Sequence, residues 1–160
     1  MSSAPAPEPR WLSDAEQASW RAYLRGSRMV TEALDEALLR HGIRLSEYEI
    51  LSMLSEAHGA RLRMSVLAGL VVQSRSRLTH TATRLERRGW VERRSCREDR
   101  RGVELFLTAD GGKALEDLAR VHLHSVRTSL VDLMTPEQFS VVGEAMGRVV
   151  GSLGQPDRDT

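Results

Sequence analysis

The sequence predicts a mainly α chain with one small β-hairpin (α+β), arranged as a compact central unit between long helices at the two ends. Three observations carry this expectation: apolar residues return at three- and four-residue steps through most of the chain, only two short stretches are strand-like, and 160 residues with 41% hydrophobic side chains suffice for one globular domain. No apolar run approaches the ~18 residues of a membrane span. The start, Met1-Ser2-Ser3-Ala4-Pro5, lacks a basic segment followed by an apolar one, so a cytoplasmic chain with no membrane association is expected. A single cysteine cannot close an internal disulfide, which fits a reducing compartment.

Each element has its own signal. The proline-rich residues 1–12 and the polar residues 153–160 read as disordered tails. Ser13-Asp14-Ala15-Glu16 has capping-box spacing, and Trp20, Tyr23, Leu24, Val30, Leu34, Ala37 and Leu38 then form the stripe of a long helix ending near Gly42. Ser46-Glu47-Tyr48-Glu49 reads as a second capping box, opening a helix with Ile50, Leu51, Met53, Leu54 and Ala57 inside and a stop at His58-Gly59. Residues 64–71 form a short helix after a loop, and Ser74 starts another, striped by Leu78, Ala82 and Leu85, that ends at Gly89. Two short helices joined by a three- or four-residue turn make a helix-turn-helix candidate. Residues 90–94 and 103–107 are strand-like, with a polar loop from Ser95 to Gly102, and so read as a β-hairpin with a charged tip. One more stripe runs from Ala114 to Leu133. A last helix is announced by Thr135-Pro136-Glu137-Gln138 and carries Phe139, Val142, Met146, Val149 and Val150. The terminal helices offer more apolar surface than one small core can cover, which predicts a dimer.

The net charge of +1 hides a strong asymmetry. Of 23 basic residues, 22 are arginine, and ten of these fall among the 28 residues from Ser74 to Arg101 against four acids. That segment is +6 and the remainder −5. A basic segment in a slightly acidic chain suits a phosphate-binding surface. The start of the second helix supplies Ser74, Arg75, Ser76, Arg77, Thr79, His80, Thr83 and Arg84, short hydroxyls and forked guanidinium groups of the kinds that bond phosphates and base edges in a major groove. The hairpin tip carries Arg97, Asp99, Arg100 and Arg101, where an arginine can enter a minor groove and an aspartate can aim its fork. Helix, turn, helix and basic hairpin in that order point to double-stranded DNA.

The run from Arg84 to Arg93, and above all Asp99-Arg100-Arg101-Gly102 followed by an aliphatic strand and Leu107-Thr108-Ala109-Asp110-Gly111, resembles the MarR family of winged-helix regulators over roughly residues 13 to 150. The resemblance implies a winged helix-turn-helix lobe over 46–108 and N- and C-terminal dimerisation helices over 13–45 and 109–152. It implies a homodimeric transcriptional repressor on a palindromic operator, with Arg101 as the wing arginine, Asp99 positioning it and Arg100 at the same tip. It also implies release by a small phenolic or lipophilic anionic effector, for which Trp20, Tyr23, Tyr48 and Met53 are candidate pocket residues, although plain core packing explains each as well.

Two further readings are open to the same residues. A winged-helix module could bind protein partners through its basic face. Cys96, among Arg93, Arg94 and Arg97, could be a reactive thiolate that makes the regulator redox-responsive. Enzyme chemistry has no support: no catalytic set, cofactor or metal site is expected. His122 and His124 stand about 200° apart on a helix, and the chain lacks Cys-x-x-Cys, Gly-x-x-x-x-Gly-Lys-Ser/Thr and Gly-x-Ser-x-Gly.

Overall fold

The first helix, α1 (Asp14–Leu39), starts at its expected cap. The Ser13 hydroxyl accepts from the Glu16 N–H, and the Glu16 carboxylate accepts from the Ser13 N–H at 2.8 Å. These positions come from a computed structural model, which describes residues 9–96 and 102–154. The outer parts of both expected tails, 1–8 and 155–160, and the hairpin-tip residues 97–101 lie outside the described residues.

In chain order, α1 is followed by α2 (Leu45–Glu56), a short 3-10 turn (His58–Ala60), β1 (Arg61–Arg63), α3 (Met64–Leu70), α4 (Arg75–Arg87), β2 (Val91–Ser95) and β3 (Val103–Leu107). Two helices close the chain, α5 (Ala109–Ser129) and α6 (Pro136–Leu153), with a second 3-10 turn (Val131–Leu133) between them. Among the described residues no helix is long and apolar enough to cross a membrane.

Three expectations need correction. The hairpin is the larger part of a three-stranded antiparallel sheet in the order β1-β3-β2, because Leu62 pairs with Leu105 and so adds a third strand ahead of α3. A three-residue strand is too short to show alternation in sequence. The second capping box is shifted: α2 begins at Leu45, so Glu47, not Glu49, sits at the third position and accepts from the Arg44 N–H at 2.8 Å. Asp35 of α1 does the rest, taking the Leu45 N–H at 2.8 Å and Arg44 Nη1 at 3.0 Å. The stripe from Ala114 to Leu133 is not one helix either, since α5 stops at Ser129 and Leu133 lies exposed in the 3-10 turn. Its start at Ala109, with Thr108 as the cap, coincides with the expected beginning of the 109–152 segment.

The core sits in the central unit. Leu38 of α1 and Ile43 in the connection to α2 meet Ile50, Leu51 and Leu54 of α2, Leu67 of α3, Leu78 and Leu85 of α4 and Leu105 of β3, all fully buried. By contrast α6 buries none of its residues, and Trp20, Tyr23 and Met29 of α1 stand about half exposed.

Where β3 runs into α5, Thr108 ties three elements together. Its hydroxyl accepts from the Gly111 N–H at 3.0 Å and donates to the Gly89 carbonyl at 2.6 Å, while its own N–H donates to the Trp90 carbonyl at 3.1 Å. Gly111 lies against that carbonyl so closely that a Cβ there would fall 2.1 Å from the oxygen. The Leu-Thr-x-x-Gly motif is therefore a joint between the end of α4, the root of the hairpin and α5.

Candidate nucleic-acid interface

The helix-turn-helix consists of α3, a turn over residues 71–74, and α4. Ser74 caps α4 by accepting from the Arg77 N–H at 3.3 Å, and the Ser74 and Ser76 hydroxyls lie 3.3 Å apart. Leu78, Thr81, Ala82 and Leu85 form the buried stripe. Their spacing leaves Arg75, Ser76, Arg77, Thr79 and His80 on the outer face, all exposed. Among the described residues the Arg75, Arg77 and His80 side chains have no hydrogen-bond or ion-pair partner. Their donors are thus open to a ligand. Thr79 and Thr83 donate back to the Arg75 and Thr79 carbonyls at 2.8 and 2.9 Å, which leaves the exposed Thr79 hydroxyl with lone pairs rather than its proton available to a ligand.

The later part of α4 is committed to the protein. Arg84 Nε donates to Glu47 Oε1 at 3.0 Å, and Glu47 is only 3% exposed. Thr83 accepts from Arg93 Nη2 at 2.8 Å. The same Nη2 donates to the Thr79 carbonyl at 2.8 Å, Nη1 donates to Glu86 at 2.9 Å, and the Arg93 backbone N–H also donates to Glu86. One arginine therefore fastens β2 along the side of α4. Arg93 was absent from the sequence-derived site, since a strand arginine gives no hint of where its fork will land. On the same sheet, Arg94 pairs with Glu92 at 2.9 Å, which holds the Glu92 carboxyl below its ordinary range, and lies over the Phe106 ring.

Two basic depressions border α4. One, about 500 Å³, brings Arg44 and Ser46 from the start of α2 beside Ser76, Arg77, His80 and Arg84. The other, about 590 Å³, gathers Arg63, Arg75 and Arg93 around Thr79 and opens toward Gly102. Arg44, Ser46 and Arg63 were not among the sequence candidates; an arginine just ahead of a helix start was the available signal for Arg44. The wing candidates Arg97, Asp99, Arg100 and Arg101 lie outside the described residues.

The four pocket candidates divide into two pairs. The Trp20 and Tyr23 rings stack at 6.0 Å on the outer face of α1. Tyr48 is buried with its ring 4.3 Å from that of His122, and Met53 packs against the core. Cys96 is 5% exposed, with its N–H bonded to the Gly102 carbonyl, so the thiol lacks the solvent access that the redox reading requires.

An exposed arginine-bearing second helix, supported from behind by a three-stranded sheet, defines a winged helix-turn-helix protein. The sequence model of the MarR family matches residues 43–103. The chain is 32% identical over 128 residues to the transcriptional repressor MprA of Escherichia coli (strain K12), covering 80% of this chain and 72% of that protein. Two crystal structures of MarR family regulators from Streptomyces coelicolor are each 40% identical to it. Sco3205, solved in complex with DNA, has a TM-score of 0.88 with 95% of each chain covered. AbsC has a TM-score of 0.84 over 92% of this chain and 100% of its own. The chain belongs to the MarR family and is a transcriptional regulator of that family.

Proposed function

We propose that this regulator is a homodimeric repressor whose two winged helix-turn-helix lobes, residues 46–108, read the halves of a palindromic operator. The observation that carries the reading is the outer face of α4, where Arg75, Arg77 and His80 are exposed with no hydrogen-bond or ion-pair partner among the described residues. The 40% identical Sco3205, solved with DNA, supports it. The α4 face enters the major groove, where Arg75 and Arg77 match the O6/N7 edge of guanine. Ser74, Ser76, Thr79 and His80 serve phosphates or base edges. Arg84 and Thr83 act at one remove, by holding α4 to α2 and to β2. Arg100 and Arg101, with Asp99, take the minor groove. The flanking helices, 13–45 and 109–152, supply the dimer; support comes from the exposed Val141, Val142, Val149, Val150 and Leu153 of α6 and the half-exposed aromatic residues of α1.

Release by a small phenolic or lipophilic anion completes the proposal, with Tyr48 beside His122 as the aromatic wall and Trp20 and Tyr23 as further contacts. A gel shift against the DNA upstream of the protein's own gene, with scrambled competitor, tests the core of it. A specific band that weakens steeply with salt is expected. No specific band would favour the protein-interaction reading.

A further inference from the structure

Between α1, the start of α2 and the turn ahead of α4 lies a cavity of about 360 Å³, near the lower end of the range for small-molecule sites (~300–1,000 Å³). Three features of its wall depart from ordinary packing. Gln73 lines it, and the Gln73 Oε1 is fully buried with no hydrogen-bond partner; a buried acceptor costs free energy unless something donates to it. The Glu49 carboxyl has no ion pair among the described residues, and burial pushes it above the ordinary carboxylate range against the pull of the Arg77 guanidinium. Val72, in the same wall, holds a φ of +49°, a conformation β-branched residues rarely adopt. Anomalies gathered at one cavity are the mark of a site shaped for something other than stability.

The charges say what it takes. Asp35 is already engaged by Arg44 and the Leu45 N–H. Two carboxylates, Glu32 and Glu49, remain against Arg77 alone. An anion would be opposed by both. Among the described residues no group of three His, Cys, Asp or Glu side chains could hold a metal ion. We infer that this cavity binds a small organic cation, an amine or guanidinium compound, which pairs with Glu49 and donates to the Gln73 Oε1. Arg77 couples the cavity to the outer face of α4, because the same residue lines both this cavity and the basic depression beside it. The bound cation neutralises the Glu49 carboxylate, which otherwise draws on the Arg77 guanidinium through space, so it leaves the Arg77 charge undiminished for phosphate and tightens operator binding. This last step rests on the DNA-binding reading; the cavity assignment does not.

The test is a calorimetric titration of the full chain, without DNA and at fixed ionic strength, with 1,4-diaminobutane and separately with succinate. Saturable binding of the diamine, none of the diacid, and about tenfold weaker diamine binding in a folded Glu49→Gln variant are expected. Should that variant not fold, Glu32→Gln at an exposed position must lower the affinity several-fold. Unchanged affinity in the folded variant, binding of succinate alone, or no heat with either compound overturns the inference. An operator titration of the parent chain then separates the two readings: no operator band despite diamine binding removes the DNA reading and leaves the cavity standing, whereas operator binding that the diamine leaves unchanged removes the coupling through Arg77.

Discussion

Arg84 of α4 donates through Nε to the carboxylate of Glu47, 3.0 Å away on α2, and that carboxylate is almost wholly buried. The pair is a strut between the DNA-facing helix and the helix behind it. Glu47 also takes the Arg44 N–H, so one side chain closes the start of α2 and fixes the rotation of α4. A double-mutant cycle of Arg84→Ala and Glu47→Ala, followed by chemical denaturation, should give a coupling energy of about 1–3 kcal/mol. Of the two single changes, Arg84→Ala is the costlier, because it leaves a buried carboxylate without its cation.

At the joint between β3 and α5, Gly111→Ala places a methyl group 2.1 Å from the Trp90 carbonyl oxygen, far inside van der Waals contact, and either α5 or the hairpin root must move. A loss of about 1–3 kcal/mol is expected in equilibrium unfolding. Its neighbour is the control. Gly112 has open space around it, so Gly112→Ala should stabilise the helix by roughly 0.5–1 kcal/mol.

Val72 is 90% exposed and therefore packs little, yet it occupies the left-handed region. Asparagine tolerates that conformation better. Val72→Asn should raise stability by about 0.5–1 kcal/mol, read as a higher thermal midpoint. No change would mean that the turn relaxes in solution.

Burial holds the His122 imidazole below its ordinary value of 6.5. The unfolded chain therefore takes up this proton more readily than the folded one. The contribution of His122 is fully present above pH 6.5 and is lost as pH falls from there through the lower, folded value. Thermal unfolding at pH 7.5 and 5.5 should show a drop for the parent that shrinks in His122→Phe, which keeps a ring beside Tyr48.

On the proposed operator, Arg77→Ala should cost about 1–3 kcal/mol and flatten the preference at one base pair, whereas loss of a pure phosphate contact weakens all sequences alike. Fluorescence anisotropy over a set of single-base operator variants distinguishes the two. Equal losses on every variant would assign Arg77 to the backbone.

Periodicity made the long elements legible. The caps at Ser13, Ser74 and Thr135 and the stripe of Leu78, Ala82 and Leu85 are local signals, and the structure repeats them. What escaped were features made by distant partners. Asp35 caps a helix ten residues away, Arg93 grips the side of α4 from a strand, and β1 exists only because β3 is there to pair with it. The basic face of α4 could be read in advance, but which of its arginines turn back onto the protein could not. Arg75 and Arg84 look alike in sequence; the difference is Glu47, 37 residues from Arg84.

Thr108 and Gly111 give α5 a fixed fulcrum. A helix of 21 residues is about 30 Å long, so a tilt of roughly 5° at the clasped first turn sweeps its far end through nearly 3 Å. Because α1 packs along α5, with the Ser125 hydroxyl donating to the Ala33 carbonyl, such a tilt carries the N-terminal helix with it.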